Sequence, residues 1–343
     1  MPDLGTSWVQ THPSFLEPQL LIQYAQASGA FETLATGNPL TKLGTEDKYV
    51  YIRALDIRTR MAAGQSASNF LPSVALVPSY ASIATYLQQV RAEYNHHDTA
   101  AMAMWNVSIV EAQRLGMRQG HFQLLRTSLL YGMIPSNGEG LANTNGATST
   151  SLPADSNGNT SVVTYDNGQM ATFLLTQLSA IKTATMQLGI PRKFVILGPQ
   201  RTLGAFEYQN IVQLIQFQRP GGGTTSTAGL VKEVAEGWNG DEIVWAYDDT
   251  LIGQGIGGGN NDLVMIVMPE VEKPRGGKFN TNEFATLSNG FAACTLQYTD
   301  VVAPIEIPTP LPGGAVDILS EMRATPGWGV RPEALRLITM LYQ

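Results

Sequence analysis

Hydrophobic and polar positions alternate along two runs in the first third of the chain, and this alternation predicts β-strands. In residues 49–60, Ile52 and Ala54 fall on the opposite face from Arg53, and a second apolar run follows at residues 70–78 after a small polar segment. Together the two runs predict a long hairpin. A two-stranded hairpin is marginal in water, so this one is expected to pack against another surface.

Downstream, Val90, Ala92 and Tyr94 alternate with Arg91 and Glu93, which predicts another half-buried strand. The spacing then changes to that of a helix. A serine and a glutamate in the S-x-x-E pattern mark its start, and the helix is expected to run from Ser108 to about Tyr131. The apolar positions expected on its buried face are Val110, Leu115, Phe122, Leu125 and Leu129.

Residues 136–168 are rich in Ser, Thr, Asn and Gly and predict turns and an exposed loop. A second helix is predicted to begin at Asp166 or Asn167 and to stop at Gly189 and Pro191. Its apolar stripe comprises Met170, Phe173, Leu174, Leu178, Ile181 and Leu188. Short strands are predicted at residues 193–198, 242–247 and 263–268 and in the C-terminal run 334–343.

The composition favours a protein whose surface is partly covered by other copies of the chain. Of the 343 residues, 43% are hydrophobic and 14% charged, and this charged share is well below the ~25% usual for soluble domains. Interface cores are depleted in charge. The formal charge of -7 argues against tight binding to nucleic acid, because that affinity comes mainly from Lys and Arg.

The lone Cys294 excludes an intramolecular disulfide and a multi-cysteine zinc site. Nothing at the N-terminus resembles a secretion signal, and no apolar stretch approaches the ~20 residues of a membrane helix. A reducing cytoplasm is therefore the expected place of synthesis, with no contact to a membrane.

One glycine-rich segment, Gly253–Gly258, satisfies the G-x-G-x-x-G pattern of a dinucleotide-binding loop. That chemistry needs a helix N-terminus directly after the glycines, whereas residues 259–268 lead into another predicted strand. We therefore interpret the segment as a connection between strands and expect no bound cofactor.

Other residues that could carry chemistry have simpler structural interpretations. His96 and His97 are adjacent and cannot share a helix face, and Asp98 is expected to head a short helical turn, so no metal site is expected. Two acidic pairs flank a predicted strand, Asp241 with Glu242 and Asp248 with Asp249. We expect them in solvated turns. The serine-hydrolase and P-loop motifs are absent, so no catalytic residue is assigned and the chain is not expected to be an enzyme.

Six segments, taken in order, resemble segments of the major capsid proteins of tailed bacteriophages (Caudoviricetes), which have the Hong Kong 97 type of fold. They are VRAEYNHHD (90–98), GMRQG (116–120), LLYG (129–132), GEGLANTNG (138–146), RKFVILGPQ (192–200) and EIPTPLPGGAVDILSEMRATPGWGVRPEA (306–334). The likeness runs from about Tyr49 to the C-terminus, and the order of the predicted elements also fits that family.

The resemblance implies an α+β capsid fold divided into named parts. These are an N-terminal arm (1–48), an extended hairpin called the E-loop (49–80), a peripheral domain (81–190) with a long spine helix (about 108–131), an axial domain (191–264) and a segment that returns to the peripheral sheet (265–343). It also implies a subunit that assembles into pentamers and hexamers of an icosahedral shell.

The implied function is structural. The shell would assemble in the bacterial host cytoplasm, become part of the virion, and enclose double-stranded DNA that it contacts weakly and without sequence preference. Decoration, scaffolding and portal proteins are further partners that the resemblance implies.

Some capsids of this fold are linked by a Lys–Asn isopeptide bond whose lysine lies on the E-loop, and this sequence departs from that pattern. It has no lysine from Tyr49 to Ile181, and the hairpin carries Arg53, Arg58 and Arg60 instead. Guanidinium groups are not nucleophiles for amide formation but can pair with carboxylates of an adjacent subunit. These arginines are therefore the expected inter-subunit contacts, without covalent linkage.

Two other classes of protein remain compatible with the sequence. An encapsulin-like bacterial shell would share the fold but enclose protein cargo, which the GEGLAN turn alone does not distinguish. A metabolic α/β enzyme would use the glycine-rich loop to bind a nucleotide.

Overall fold

The structure is a computed structural model that describes residues 39–44, 46–58, 75–103, 108–185, 191–208, 210–211, 225–270, 296–300 and 304–343. The helices in these ranges are α1 (His96–Ala103), α2 (Ile109–Tyr131), α3 (Asn167–Ala184), α4 (Gln200–Tyr208) and α5 (Thr227–Asn239). The strands are β1 (Pro39–Lys42), β2 (Tyr49–Arg58), β3 (Ala75–Ala84), β4 (Tyr86–Tyr94), β5 (Thr148–Ser151), β6 (Lys193–Gly198), β7 (Asn210–Ile211), β8 (Thr225–Ser226), β9 (Glu242–Tyr247), β10 (Asn261–Val267), β11 (Leu296–Asp300), β12 (Ile305–Pro310), β13 (Val316–Ala324), β14 (Trp328–Gly329) and β15 (Leu335–Leu341).

A five-stranded mixed sheet in the order β5-β15-β10-β6-β9 forms the centre of the fold. Its middle strands read as continuous apolar runs because both of their faces are buried. On one face, Phe194 and Ile196 pack with residues of α3 and α5. On the other, Val195 and Leu197 pack with Leu141 and neighbouring apolar residues. The predicted strands at residues 193–198, 242–247 and 263–268 are thus confirmed.

The C-terminal strand belongs to this central sheet. β15 pairs with β10 over seven consecutive positions, from Leu341 opposite Asn261 to Leu335 opposite Val267. The apolar residues of β15 lie on both faces of the central sheet, with Ile338 and Met340 in one cluster and Leu335 and Leu337 in the other. Within the same segment, β13 pairs with β4, and the assignment of residues 265–343 to a peripheral domain stays a prediction. The implied boundary between residues 264 and 265 falls inside β10.

A smaller sheet, in the order β12-β13-β4, supports the long helix α2. Ser108 caps this helix by accepting a hydrogen bond from the Glu111 amide at 3.4 Å, so the predicted start and end are confirmed. Leu125 and Leu129 face the sheet and are buried with Met322 and Ala324 of β13.

The predicted buried face of α2 is partly wrong. Leu115 is 46% exposed and Phe122 is 39% exposed, whereas Met117 and His121 are buried. A sheet of three strands covers only a narrow stripe of a 23-residue helix, so apolar residues outside that stripe remain on the surface.

The predicted hairpin is present as a separate two-stranded sheet. β2 and β3 pair in antiparallel register from Tyr49 opposite Ala84 to Arg58 opposite Ala75. Of the predicted arm, β1 pairs in parallel with β11, while residues 1–38 lie outside the described residues.

The second predicted helix is α3, and Asp166 is its N-cap, since one carboxylate oxygen accepts from the Gln169 amide at 2.8 Å. The helix ends at Ala184, and Leu188 and Gly189 lie outside the described residues.

The expectation of an exposed loop over residues 136–168 is only partly right. Leu141, Leu152, Val162 and Tyr165 are buried there, because the loop folds back on the edge of the central sheet. The Leu152 amide, for example, donates to the Thr339 carbonyl of β15 at 2.9 Å.

Candidate subunit-contact site

The hairpin presents large aromatic side chains to solvent. Tyr49, Tyr51 and Tyr80 are 56%, 65% and 78% exposed, and the rings of the first two lie 6.5 Å apart. Within the described part of the chain, no third strand pairs with β2 or β3. Exposed tyrosines on an unsupported ribbon are typical of a surface that another protein covers.

The structure places two of the three candidate arginines in β2. Arg53 is opposite Tyr80 and Arg58 is opposite Ala75, so the two positions are an odd number of residues apart and belong to opposite faces of the ribbon. Arg60 lies outside the described residues. The three arginines as a contact set remain a prediction.

At its C-terminal end the hairpin joins the rest of the molecule at Thr85, the single residue between β3 and β4. Its amide donates to the Lys48 carbonyl at 3.1 Å, and its hydroxyl donates to the Asp47 carbonyl. From β13, Arg323 Nη1 donates to the Thr85 hydroxyl at 2.9 Å and to the Asp47 carbonyl at 3.3 Å. Thr85 is buried, so its two side-chain hydrogen bonds are partly shielded from water, whereas the bond from Arg323 to Asp47 is exposed.

The GEGLAN turn connects the end of α2 to the sheet beneath it. Glu139 is buried, and its Oε1 accepts a hydrogen bond from the Tyr86 hydroxyl at 2.8 Å. Its Oε2 accepts from the amides of Met133 and Ile134 at 3.1 and 2.8 Å. Burial, followed by the contact with Glu139, raises the pKa of Tyr86 to about 12.

Two glycines make this turn possible. Gly132 and Gly140 have φ angles of 72° and 81°, a region that favours glycine, and a Cβ on Gly140 would overlap the backbone of Gly132. The Gly140 amide donates to the Gly327 carbonyl at 2.6 Å, and Asn143 Nδ2 donates to the Tyr131 carbonyl at 2.8 Å. The motif is therefore explained by packing between three segments, without a ligand.

The glycine-rich segment is a connection between strands, as predicted: β10 follows it directly. The buried Asp262 of β10 accepts hydrogen bonds from the Gly253 amide at 3.0 Å, from Arg201 Nε at 2.8 Å and from the Thr202 hydroxyl. Burial alone would raise the pKa of Asp262, but these hydrogen bonds outweigh it and hold the pKa below its usual range. The glycines are therefore followed by a strand that carries a buried structural carboxylate, whereas a dinucleotide-binding loop would need a helix at this position.

The prediction that the four acidic residues around β9 lie in solvated turns is wrong for two of them. Asp241 is buried and pairs with Lys182 Nζ, whose distances to the two carboxylate oxygens are 2.7 and 2.6 Å. Asp248 is also buried and accepts from the amide and hydroxyl of Thr250. Asp249 Oδ1 accepts from the Gln200 amide at the start of α4. Each of these aspartates thus has a structural role.

The His96-His97-Asp98 segment begins α1. Asn95 Oδ1 accepts from the Asp98 amide at 2.9 Å, and Asp98 Oδ2 accepts from the Asn95 amide at 3.1 Å. This reciprocal pair is a capping box, with Asn95 rather than Asp98 at the cap position. In the described ranges, no three His, Cys, Asp or Glu side chains are grouped to hold a metal ion, and Cys294 lies outside those ranges.

Where the structure describes the chain, none of its helices combines the length and apolarity needed to cross a membrane. No protein-family model and no curated protein matches the sequence. Solved structures do match. A chain from the capsid of Myoviridae phage XM1 aligns with a TM-score of 0.62 at 10% identity, covering 96% of this chain and 97% of that chain. This chain has the fold of a phage capsid subunit.

Two further capsid structures agree with that fold. A chain from the capsid of cyanophage P-SCSP1u aligns with a TM-score of 0.55 at 12% identity over 95% of this chain and 91% of that chain. A chain from the mature capsid of bacteriophage PhiM1 aligns with a TM-score of 0.52 at 11% identity over the same shares. The predicted α+β capsid fold is thereby confirmed.

Proposed function

We propose that this chain is the major capsid subunit of a tailed bacteriophage and assembles into the icosahedral head that encloses the double-stranded DNA genome. The fold match over 96% of this chain and 97% of the XM1 capsid chain supports this most directly. The exposed tyrosines of the β2-β3 ribbon support it independently, because they lack cover within the described part of the chain.

In this proposal the parts of the chain have the roles implied by the capsid fold. Residues 1–48 are the arm, 49–80 the E-loop, 81–190 and 265–343 the peripheral domain, and 191–264 the axial domain. Arg53, Arg58 and Arg60 contact a neighbouring subunit. The protein has no catalytic role, and its acidic balance keeps contacts with packaged DNA weak.

The experiment is electron microscopy and light scattering of the purified full-length chain. We expect closed shells or capsomer-derived particles in the megadalton range, and in infected cells we expect particles that contain nuclease-protected DNA. Monomers or dimers across a range of concentrations and salts would refute assembly. Shells that co-purify with a protein cargo and no nucleic acid would replace the phage head by an encapsulin-like compartment.

A further inference from the structure

We infer that Arg323 and Thr85 are positioning residues that fix the angle at which the β2-β3 ribbon leaves the body of the subunit. The inference rests on the proposed function, because the angle matters for the contact with a neighbouring subunit.

The junction is narrow enough for a few contacts to set its geometry. β3 ends at Ala84 and β4 begins at Tyr86, so Thr85 alone separates a strand of the ribbon from a strand of the body. The ribbon and the body form different sheets. Without further contacts, small backbone rotations at Thr85 and at the entry to β2 would swing both ten-residue strands of the ribbon together.

Thr85 is held from three sides. Its amide donates to the Lys48 carbonyl at 3.1 Å, which ties β3 to the residue that precedes β2. Its hydroxyl donates to the Asp47 carbonyl and accepts from Arg323 Nη1 at 2.9 Å. One hydroxyl donor and one acceptor position are therefore satisfied, and threonine itself has restricted χ1 freedom.

Arg323 connects Thr85 to the three-stranded sheet β12-β13-β4. It lies in β13, opposite Leu87 of β4, and its Nη1 also donates to the Asp47 carbonyl at 3.3 Å. The planar guanidinium thus contacts both chain segments that enter the ribbon while its own strand is fixed in the three-stranded sheet. Burial of Thr85 prevents water from substituting freely for the lost partners in a variant.

The test compares Thr85→Val and Arg323→Met with Arg91→Met in the full chain. Arg91 is a matched control, because it makes an ion pair of 2.7 Å with Asp317 on the same sheet but away from the junction. Hydrogen exchange is measured by mass spectrometry for peptides at the ribbon base, and particle diameters are measured by electron microscopy.

We expect exchange at the ribbon base to become roughly tenfold faster in both junction variants, the change that corresponds to one lost charge-assisted hydrogen bond. Exchange in the central sheet should not change, and Arg91→Met should leave the ribbon base unchanged. Particles of the junction variants should be more heterogeneous in diameter than those of the wild type.

Unchanged exchange at the ribbon base in Thr85→Val, which is close to isosteric, would overturn the restraint. Faster exchange with particles of normal diameter would reduce the junction to a local structural contact and overturn the positioning role. Absence of particles from the wild type would instead refute the proposed function, while the exchange comparison would still decide whether the restraint exists.

Discussion

Replacing Glu139 with alanine should destabilise the protein, because this buried carboxylate accepts hydrogen bonds from three partly buried donors. They are the Tyr86 hydroxyl and the amides of Met133 and Ile134. A buried donor left without a partner costs about 1–3 kcal/mol, and partial entry of water reduces the sum. We expect Glu139→Ala to lower the free energy of unfolding by about 2–4 kcal/mol.

Two variants separate the parts of this effect. Tyr86→Phe removes one donor and should cost about 1 kcal/mol. In the double variant the orphaned hydroxyl is absent, so the combined loss should be smaller than the sum of the single losses by about 1 kcal/mol. Glu93→Ala is the control, because its carboxylate is exposed and its contact with Arg91 is long, at 3.5 Å, so a change within about 0.5 kcal/mol is expected.

The assay is urea unfolding followed by tryptophan fluorescence, with all variants held in one assembly state because subunit association adds to apparent stability. Tyr86 supplies a second readout. Its pKa is raised to about 12 in the folded state, so the folded protein retains a proton that the unfolded chain loses above pH ~10, and stability should fall as pH rises from there. Tyr86→Phe should remove that part of the loss. A Glu139→Ala variant as stable as Glu93→Ala would refute the anchoring role.

Three further predictions follow from other contacts. Burial lowers the pKa of His121, so the folded state resists protonation and stability should decline as pH falls below ~6.5; His121→Gln should flatten this decline in thermal unfolding scans. Lys182→Met leaves the Asp241 carboxylate buried without its cation and should cost about 3–5 kcal/mol in urea unfolding, whereas Lys193→Met at an exposed pair should cost under about 0.5 kcal/mol. Deleting residues 1–46 should leave the core folded by circular dichroism but impair assembly, and normal particles would contradict the arm assignment.

Local signals predicted the elements well. The start of α2 agrees with the sequence because Ser108 and Glu111 carry the N-terminal capping signal within four residues. The hairpin was predictable because period-two alternation in a short segment specifies a strand.

Long-range contacts could not be predicted in the same way. Asp241 looked like a turn residue, because its partner Lys182 is 59 positions away and no local pattern joins them. Leu115 and Phe122 looked like core residues, because periodicity marks an apolar position without saying which surface covers it. Glu139 was missed as an anchor. The glycines on either side of it were the available signal, since they mark a backbone turn that brings a side chain close to neighbouring amides.

The chemistry of the hairpin limits how the proposed shell can be held together. The span from Tyr49 to Ile181 contains no lysine, and the arginines there cannot form an amide bond with a neighbouring asparagine. Lys48 directly precedes β2, and its side chain is an exposed amine at the ribbon base.

Stability of the shell should therefore come from buried apolar area and from the arm. Mature particles boiled in denaturing detergent are expected to release a single band near 37.0 kDa. A ladder of oligomers that survives boiling would contradict this expectation. Lys48→Arg then decides the origin of such a ladder, because it keeps the charge and removes the nucleophilic amine: a ladder that disappears assigns the bond to Lys48, and one that persists assigns it to a lysine outside the hairpin.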